Sequence, residues 1–181
     1  EPSKKFSKAA KQIIDTGLNC LGTTTTPEFG LTGTTESLRF GATCNPWNPA
    51  YSTGGSSGGS SALVAAGVIP IAHANDGAGS IRIPASCCGL VGLKASRGRI
   101  KDKEVPGYLP ANILHDGVVT RSVRDTWAFH AEIEKNIPAK EYPAIGNISE
   151  SFPEKLKIAV LTENCLGEDS SAELVQATHD V

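Results

Sequence analysis

The sequence predicts an α/β fold, a mixed central sheet covered by helices on both faces. Three observations carry that prediction. Helix-like and strand-like signals alternate along the chain. Residues 60–67, small and apolar, read as a tightly packed helix that leads straight into a buried strand over 68–74. Residues 155–161 (KLKIAVL) end in a near-continuous apolar run, the mark of a strand covered on both faces. At 181 residues, 39% hydrophobic and 20% charged, the chain is long enough for one sizeable core.

In chain order, residues 4–18 repeat apolar side chains at helical spacing with lysines between them, and Gly17 weakens the far end. Residues 21–31, rich in threonine with Pro27 and two glycines, read as a short strand followed by loop. Asn45-Pro46-Trp47-Asn48-Pro49 is a turn cluster, because each proline pushes the preceding asparagine out of helical geometry. Residues 84–93 predict a second buried helix with a proline near its first turn. Residues 135–153 hold three prolines among polar side chains and read as a surface connection. The chain stops just after an acidic, helix-like start, and it contains no methionine. Both ends are therefore expected to be cut.

A net charge of −2 and a pI near 6.1 provide no basic field for nucleic acid or anionic lipid. No apolar run nears the roughly 20 residues that span a bilayer, and no charged-then-apolar leader is present. Small-molecule chemistry is the class that remains. The five cysteines are odd in number and form no CxxC pair, and adjacent Cys87 and Cys88 are poorly placed to bridge each other. A reducing, cytoplasmic setting is expected.

Residues 52–61 contain five serines, four glycines and a threonine, which by composition alone is a flexible linker. Against that, the segment opens directly onto an apolar helix, whose first N–H groups attract negative charge. Asp76-Gly77-Ala78-Gly79-Ser80 follows the predicted strand with residues small enough for backbone N–H groups to approach a ligand. Its plain reading is a strand-to-helix turn. Its chemical reading is an acyl-transfer site, in which each N–H donor aimed at a developing oxyanion is worth about 3 kcal/mol of barrier.

GGSSGGSSALVAAG over 54–67 and DGAGSIRIPASCCGLVGLK over 76–94, with Arg97-Gly98-Arg99, resemble the amidase signature family of serine hydrolases. Ser56 and Ser80 reproduce the family's serine separation. The segments at 26–30, 40–49 and 116–125 are similar as well. The resemblance implies a partial amidase signature domain over 1–181 with its serine-loop core at about 41–99. It implies Ser80 as nucleophile and Ser56 as relay, the latter joined to Gly55 by a cis peptide bond. Gly77, Ala78 and Gly79 would line the oxyanion hole. Ser57, Asp76 and Arg82 would support the loops, and Lys94 would be structural. The base would be a lysine upstream of residue 1, so these residues alone are expected to be inactive. No cofactor and no metal are implied. The partner would be a small-molecule amide, and a homodimer is compatible with the resemblance.

Two positions depart from the family pattern. Ala78 stands for a glycine, which matters if φ is positive there, and Ala95 stands where proline commonly follows the lysine. Ala72-His73-Ala74-Asn75 before Asp76 leans toward the branch that holds aryl-amide amidases and 6-aminohexanoate-cyclic-dimer hydrolase. Two other functions stay open: the glutamine amidotransferase subunit of a tRNA-dependent transamidase, and a non-catalytic scaffold. His73, seven residues before Ser80, invites a Ser–His reading. A hydrogen-bonded core histidine is its plainer role. Cys87 and Cys88 read as packing residues.

Overall fold

The computed structural model describes residues 5–100, 113–136, 142–146, 157–164 and 166–180. These fall into two compact units, Glu1–Ile148 and Ser149–Val181.

The first unit opens with helix α1 (Lys8–Ile14), shorter than the periodicity predicts. Ser7 is its N-cap, the hydroxyl accepting the Ala10 N–H at 3.1 Å, so the helix cannot begin as early as residue 4. Residues 21–27 form no strand; a 3-10 turn at Glu28–Gly30 follows them. The threonines explain this correction. Thr25 accepts the Gly59 N–H at 3.2 Å through its carbonyl, and the Thr24 and Thr25 hydroxyls pair with Ser60 and Thr43. The segment is held by these isolated backbone and hydroxyl bonds and pairs with no strand among the described residues. Strands β1 (Glu36–Ser37) and β2 (Gly41–Ala42) make a short antiparallel hairpin. The predicted turn at 45–49 is present, with the Asn45 and Asn48 carboxamides accepting the N–H groups of Trp47 and Ala50.

Helix α2 (Gly58–Ala65) and strand β3 (Ile71–Asp76) follow. The strand starts three residues later than predicted, because Gly67 and Val68 close α2 by donating to Val64 and Leu63. Helix α3 (Arg82–Cys87) stops well short of residue 93. Gly89, at φ +65, ends it, with Leu90 donating back to Ala85 at 2.8 Å, and the chain turns into strand β4 (Val91–Gly92). Strand β5 (His115–Thr120) and helix α4 (Val123–Asn136) occupy a stretch to which the sequence reading assigned no element.

The sheet order is β3-β5-β4, antiparallel at both joins. The register puts Ala72, Ala74 and Asp76 on one face with Val119, Gly117 and His115, and Ile71, His73 and Asn75 on the other. Val64 of α2 and Ala85 of α3 pack on the first face with Ala72, Ala74, Ile81 and Val119. Ala9 of α1 and Phe129 and Ile133 of α4 pack on the second, around Val118 and Ile71. Helices therefore cover both faces of an α/β sheet, as predicted.

In the second unit, residues 157–161 form no strand, and Ile158 and Leu161 are 78% and 88% exposed. The expected double-sided burial fails because the described residues of this unit offer no sheet to join, only a single bridge between Glu163 and Asp169. Residues 155–156, and most of 135–153, lie outside the described residues. Helix α5 (Ala172–His179) bears out the acidic helical start, capped by Ser171. Among the described residues no helix is long and apolar enough to cross a membrane.

Candidate active site

The Gly/Ser segment is no linker. Every residue from Thr53 to Ser61 is buried, nine in succession, which a flexible tether cannot be. The reason is close packing against threonines. A Cβ on Gly59 would fall 2.5 Å from the Thr25 backbone nitrogen, and one on Gly58 would fall 2.3 Å from the Thr35 hydroxyl. The Gly55–Ser56 peptide bond is cis. Ser56 is 6% exposed, and the turn at Glu28–Gly30 stands beside it: a Cβ on Gly30 would lie 3.7 Å from Ser56 Oγ.

Ser57 occupies the N-cap position of α2 without capping it. Its hydroxyl lies instead on β3, accepting the Asn75 N–H at 3.3 Å and donating to the Asn75 carbonyl at 3.4 Å. Ser60 Oγ donates to the His73 carbonyl at 2.7 Å. Two hydroxyls one helical turn apart thus pair with the His73 carbonyl and the Asn75 backbone on the edge of β3 that faces away from β5. They also set the start of α2 one residue from Asp76.

Asp76 ends β3 with its carboxylate fully buried, 0% exposed. It accepts the Gly79 N–H at 2.8 Å and the Ile81 N–H at 3.2 Å, and Arg82 grips both oxygens through Nε at 2.9 Å and Nη2 at 3.0 Å. Burial by itself pushes this carboxyl up. The Arg82 guanidinium and the backbone donors outweigh burial and hold the group below its ordinary value. The same bond raises Arg82. The carboxylate thereby folds residues 77–81 around itself, with Ser80 half-buried at the rim.

That geometry sorts the three glycine-loop positions. Gly79 has φ +131, and a Cβ there would meet Ile83 at 2.7 Å; a Cβ on Gly77 would meet Leu114 at 2.8 Å. Ala78 has no positive φ and its side chain is exposed, so the departure from glycine costs nothing in backbone conformation. The Gly79 N–H is committed to Asp76. Among the described residues, the N–H groups of Gly77, Ala78 and Ser80 have no such acceptor.

The two serine loops meet through α3. Gly54 lies against its first turns, where a Cβ would fall 3.0 Å from Ile83, 3.1 Å from Cys87 Sγ and 3.3 Å from Pro84. Asn45, read from sequence only as a turn residue, ties the same parts together by donating to the carbonyls of Ser52 and Cys87 at 3.2 and 2.7 Å. The residues missed from sequence are the supports: Asn45, Thr35 and Thr53. The sequence signals were the unusual threonine content before residue 54 for Thr35 and Thr53 and the Asn-Pro-Trp-Asn-Pro cluster for Asn45.

His73 is not a core histidine. It sits on the sheet face opposite Asp76, side chain half-exposed, with Nε2 2.8 Å from Asp116. Cys88 is buried, its thiol pushed up to about 11 by burial and then by Cys87, and it donates to the Thr53 carbonyl, as a packing residue should. Cys87 is exposed, which corrects its reading as buried packing.

The Amidase family profile matches residues 1–181. The chain belongs to the amidase signature family. The putative amidase AmiC of Mycobacterium bovis is 49% identical over 172 residues, covering 95% of this chain and 36% of that protein. The 6-aminohexanoate-cyclic-dimer hydrolase of Paenarthrobacter ureafaciens is 47% identical, covering 84% of this chain and 32% of its own length. A bacterial aryl acylamidase of the amidase signature family superposes with a TM-score of 0.65 at 39% identity, over 71% of this chain and 26% of that one. The chain thus spans about a third of the curated relatives it matches, and the shared part of this amidase signature chain holds both serine loops.

Proposed function

We propose that Ser80 is the nucleophile of an amide hydrolase and Ser56 its proton relay. The observation that carries this reading is the join between the two loops. Ser57, next to Ser56, bonds Asn75, next to the Asp76 that folds the Ser80 turn. Ser80 Oγ attacks the amide carbonyl while Ser56 takes its proton, and a lysine outside these 181 residues, kept neutral by burial, accepts the proton from Ser56. The N–H groups of Gly77, Ala78 and Ser80 are the donors for the oxyanion, a set that replaces Gly79 with Ser80. Ser56 then hands its proton to the leaving amine and takes one back from the lysine, which returns the lysine to its neutral form before water cleaves the ester left on Ser80. The similarity to a cyclic-amide hydrolase and an aryl acylamidase supports linear or cyclic secondary amides as substrates.

Labelling of the full-length protein with a fluorophosphonate, followed by mass spectrometry, tests the assignment. The expected adduct lies on Ser80, is absent from Ser80→Ala and is slowed at least tenfold in Ser56→Ala. A folded protein that takes no adduct at Ser80 would favour a non-catalytic scaffold.

A further inference from the structure

The Ser56 loop is closed by a single side chain from elsewhere in the fold. Thr35, 1% exposed, donates its hydroxyl proton to the Gly54 carbonyl at 2.9 Å and accepts the Gly58 N–H at 3.1 Å. Only Gly55, Ser56 and Ser57 lie between those two points. One oxygen therefore grips the chain on both sides of Ser56, completing a ring that contains it.

The surroundings leave that oxygen no freedom. The Thr34 backbone lies directly beneath the loop, where a Cβ on Gly55 would fall 2.5 Å from its carbonyl oxygen. Thr35 itself is anchored at the start of the hairpin, its carbonyl accepting the Thr43 N–H at 2.8 Å. A second hydroxyl, that of Thr53, also donates to the Gly54 carbonyl, at 3.1 Å, but it reaches only that side of the loop. Gly58 opens α2, and its N–H is one of those a helix leaves without an intrahelical acceptor. Thr35 supplies that acceptor. Its β-branched side chain has few rotamers, so the hydroxyl is held where both bonds can form.

We propose that Thr35 is a positioning residue for the reaction, setting where the Ser56 hydroxyl stands relative to Ser80. This rests on the reading of Ser56 and Ser80 given above. A relay must lie within hydrogen-bond reach of the nucleophile, and a misplacement of about 1 Å can cost about 100-fold in rate. A purely structural threonine would change stability and leave the chemistry of the folded fraction alone.

The test compares Thr35→Val, which keeps the shape and removes the hydroxyl, with Thr35→Ser, which keeps the hydroxyl, in the full-length protein. The readout is phosphonylation of Ser80 by a fluorophosphonate, resolved into the binding constant and the maximal rate. The expected result is a maximal rate lowered roughly 10- to 100-fold in the valine variant, binding unchanged within about twofold, and the serine variant restored to within about threefold of wild type. Should the valine variant fail to fold, Thr35→Ala is judged by the same two constants. A maximal rate within threefold of wild type in a folded hydroxyl-free variant overturns the proposal, as does a serine variant no faster than the valine one. Absence of labelling at Ser80 in the wild type overturns the amide hydrolase reading itself, a result distinct from either of these.

Discussion

The two serine loops are held in place by opposite means. Residues 53–61 are fixed by neutral hydroxyls and by backbone packed too closely for a Cβ: Thr35 on Gly54 and Gly58, Thr25 on Gly59, Ser57 on Asn75. Residues 76–82 are fixed by one buried carboxylate with a guanidinium on both its oxygens. The first arrangement depends on shape and does not titrate. The second depends on a charge, and acid can remove it. A site that joins them has one support that pH leaves alone and another that it does not.

The largest effect should come from removing the charge. Asp76→Ala leaves the buried Ile81 and Gly79 N–H groups without their acceptor, at about 1–3 kcal/mol each, so a loss of roughly 2–6 kcal/mol is expected in urea denaturation of the full-length protein. Less than 1 kcal/mol would mean that the loop is held by something else. The pH dependence follows from the sign of the shift. The native carboxyl lies below its ordinary value of 3.8, so the unfolded chain binds the proton more readily. Stability from Asp76 is then complete above about pH 4 and drains away as pH falls through the depressed native value. Asp76→Asn should flatten that acid limb. His130, buried on α4 and pushed below its ordinary value by burial and by Arg99, adds a limb of the same sign beginning nearer pH 6.5. Asp76→Asn should remove only the limb that begins near pH 4 and leave the His130 limb in place.

The shape-held loop should respond to volume and ignore pH. In Gly59→Ala the new methyl would lie 2.5 Å from both the nitrogen and the hydroxyl oxygen of Thr25, and overpacking of this kind costs about 1–3 kcal/mol. That loss should be the same at pH 5 and pH 8 when each is compared with wild type. A loss that varied across that range would merge the two loops into one electrostatic unit and end the contrast.

How much of this was legible depends on whether the partners of a residue are its sequence neighbours. The serines and glycines of each loop are contiguous, so both loops and the Asp76 turn stand out in the sequence, and the helix between them was placed within two residues. The end of α3 was written in Gly89, a signal the apolar run around it obscured. Strand β5 went unseen because it is buried on both faces and shows no alternation. Thr35 meets Gly54 and Gly58, partners 19 and 23 residues away, and no local pattern announces such a bond. Residues 157–161 form no strand for the converse reason: an apolar run becomes a strand only beside a neighbour that pairs with it, and the described residues of the second unit offer none.

The smallest effect sharpens the comparison most finely, because it falls within three adjacent residues. Gly77 and Gly79 each face a side chain that a Cβ would meet closely, and Gly79 has φ +131, whereas Ala78 projects its methyl to the surface with ordinary backbone geometry. Ala78→Gly should therefore leave stability unchanged within about 0.5 kcal/mol and amide turnover within about twofold, since only chain flexibility is gained. Gly79→Ala should cost about 1–3 kcal/mol for the left-handed conformation alone. It should also slow Ser80 labelling, because the bond from the Gly79 N–H to Asp76 would have to shift with it. If Ala78→Gly instead changed the rate tenfold with the fold intact, the methyl would be touching substrate, and position 78 would belong to recognition as well as to the proposed donor set for the oxyanion.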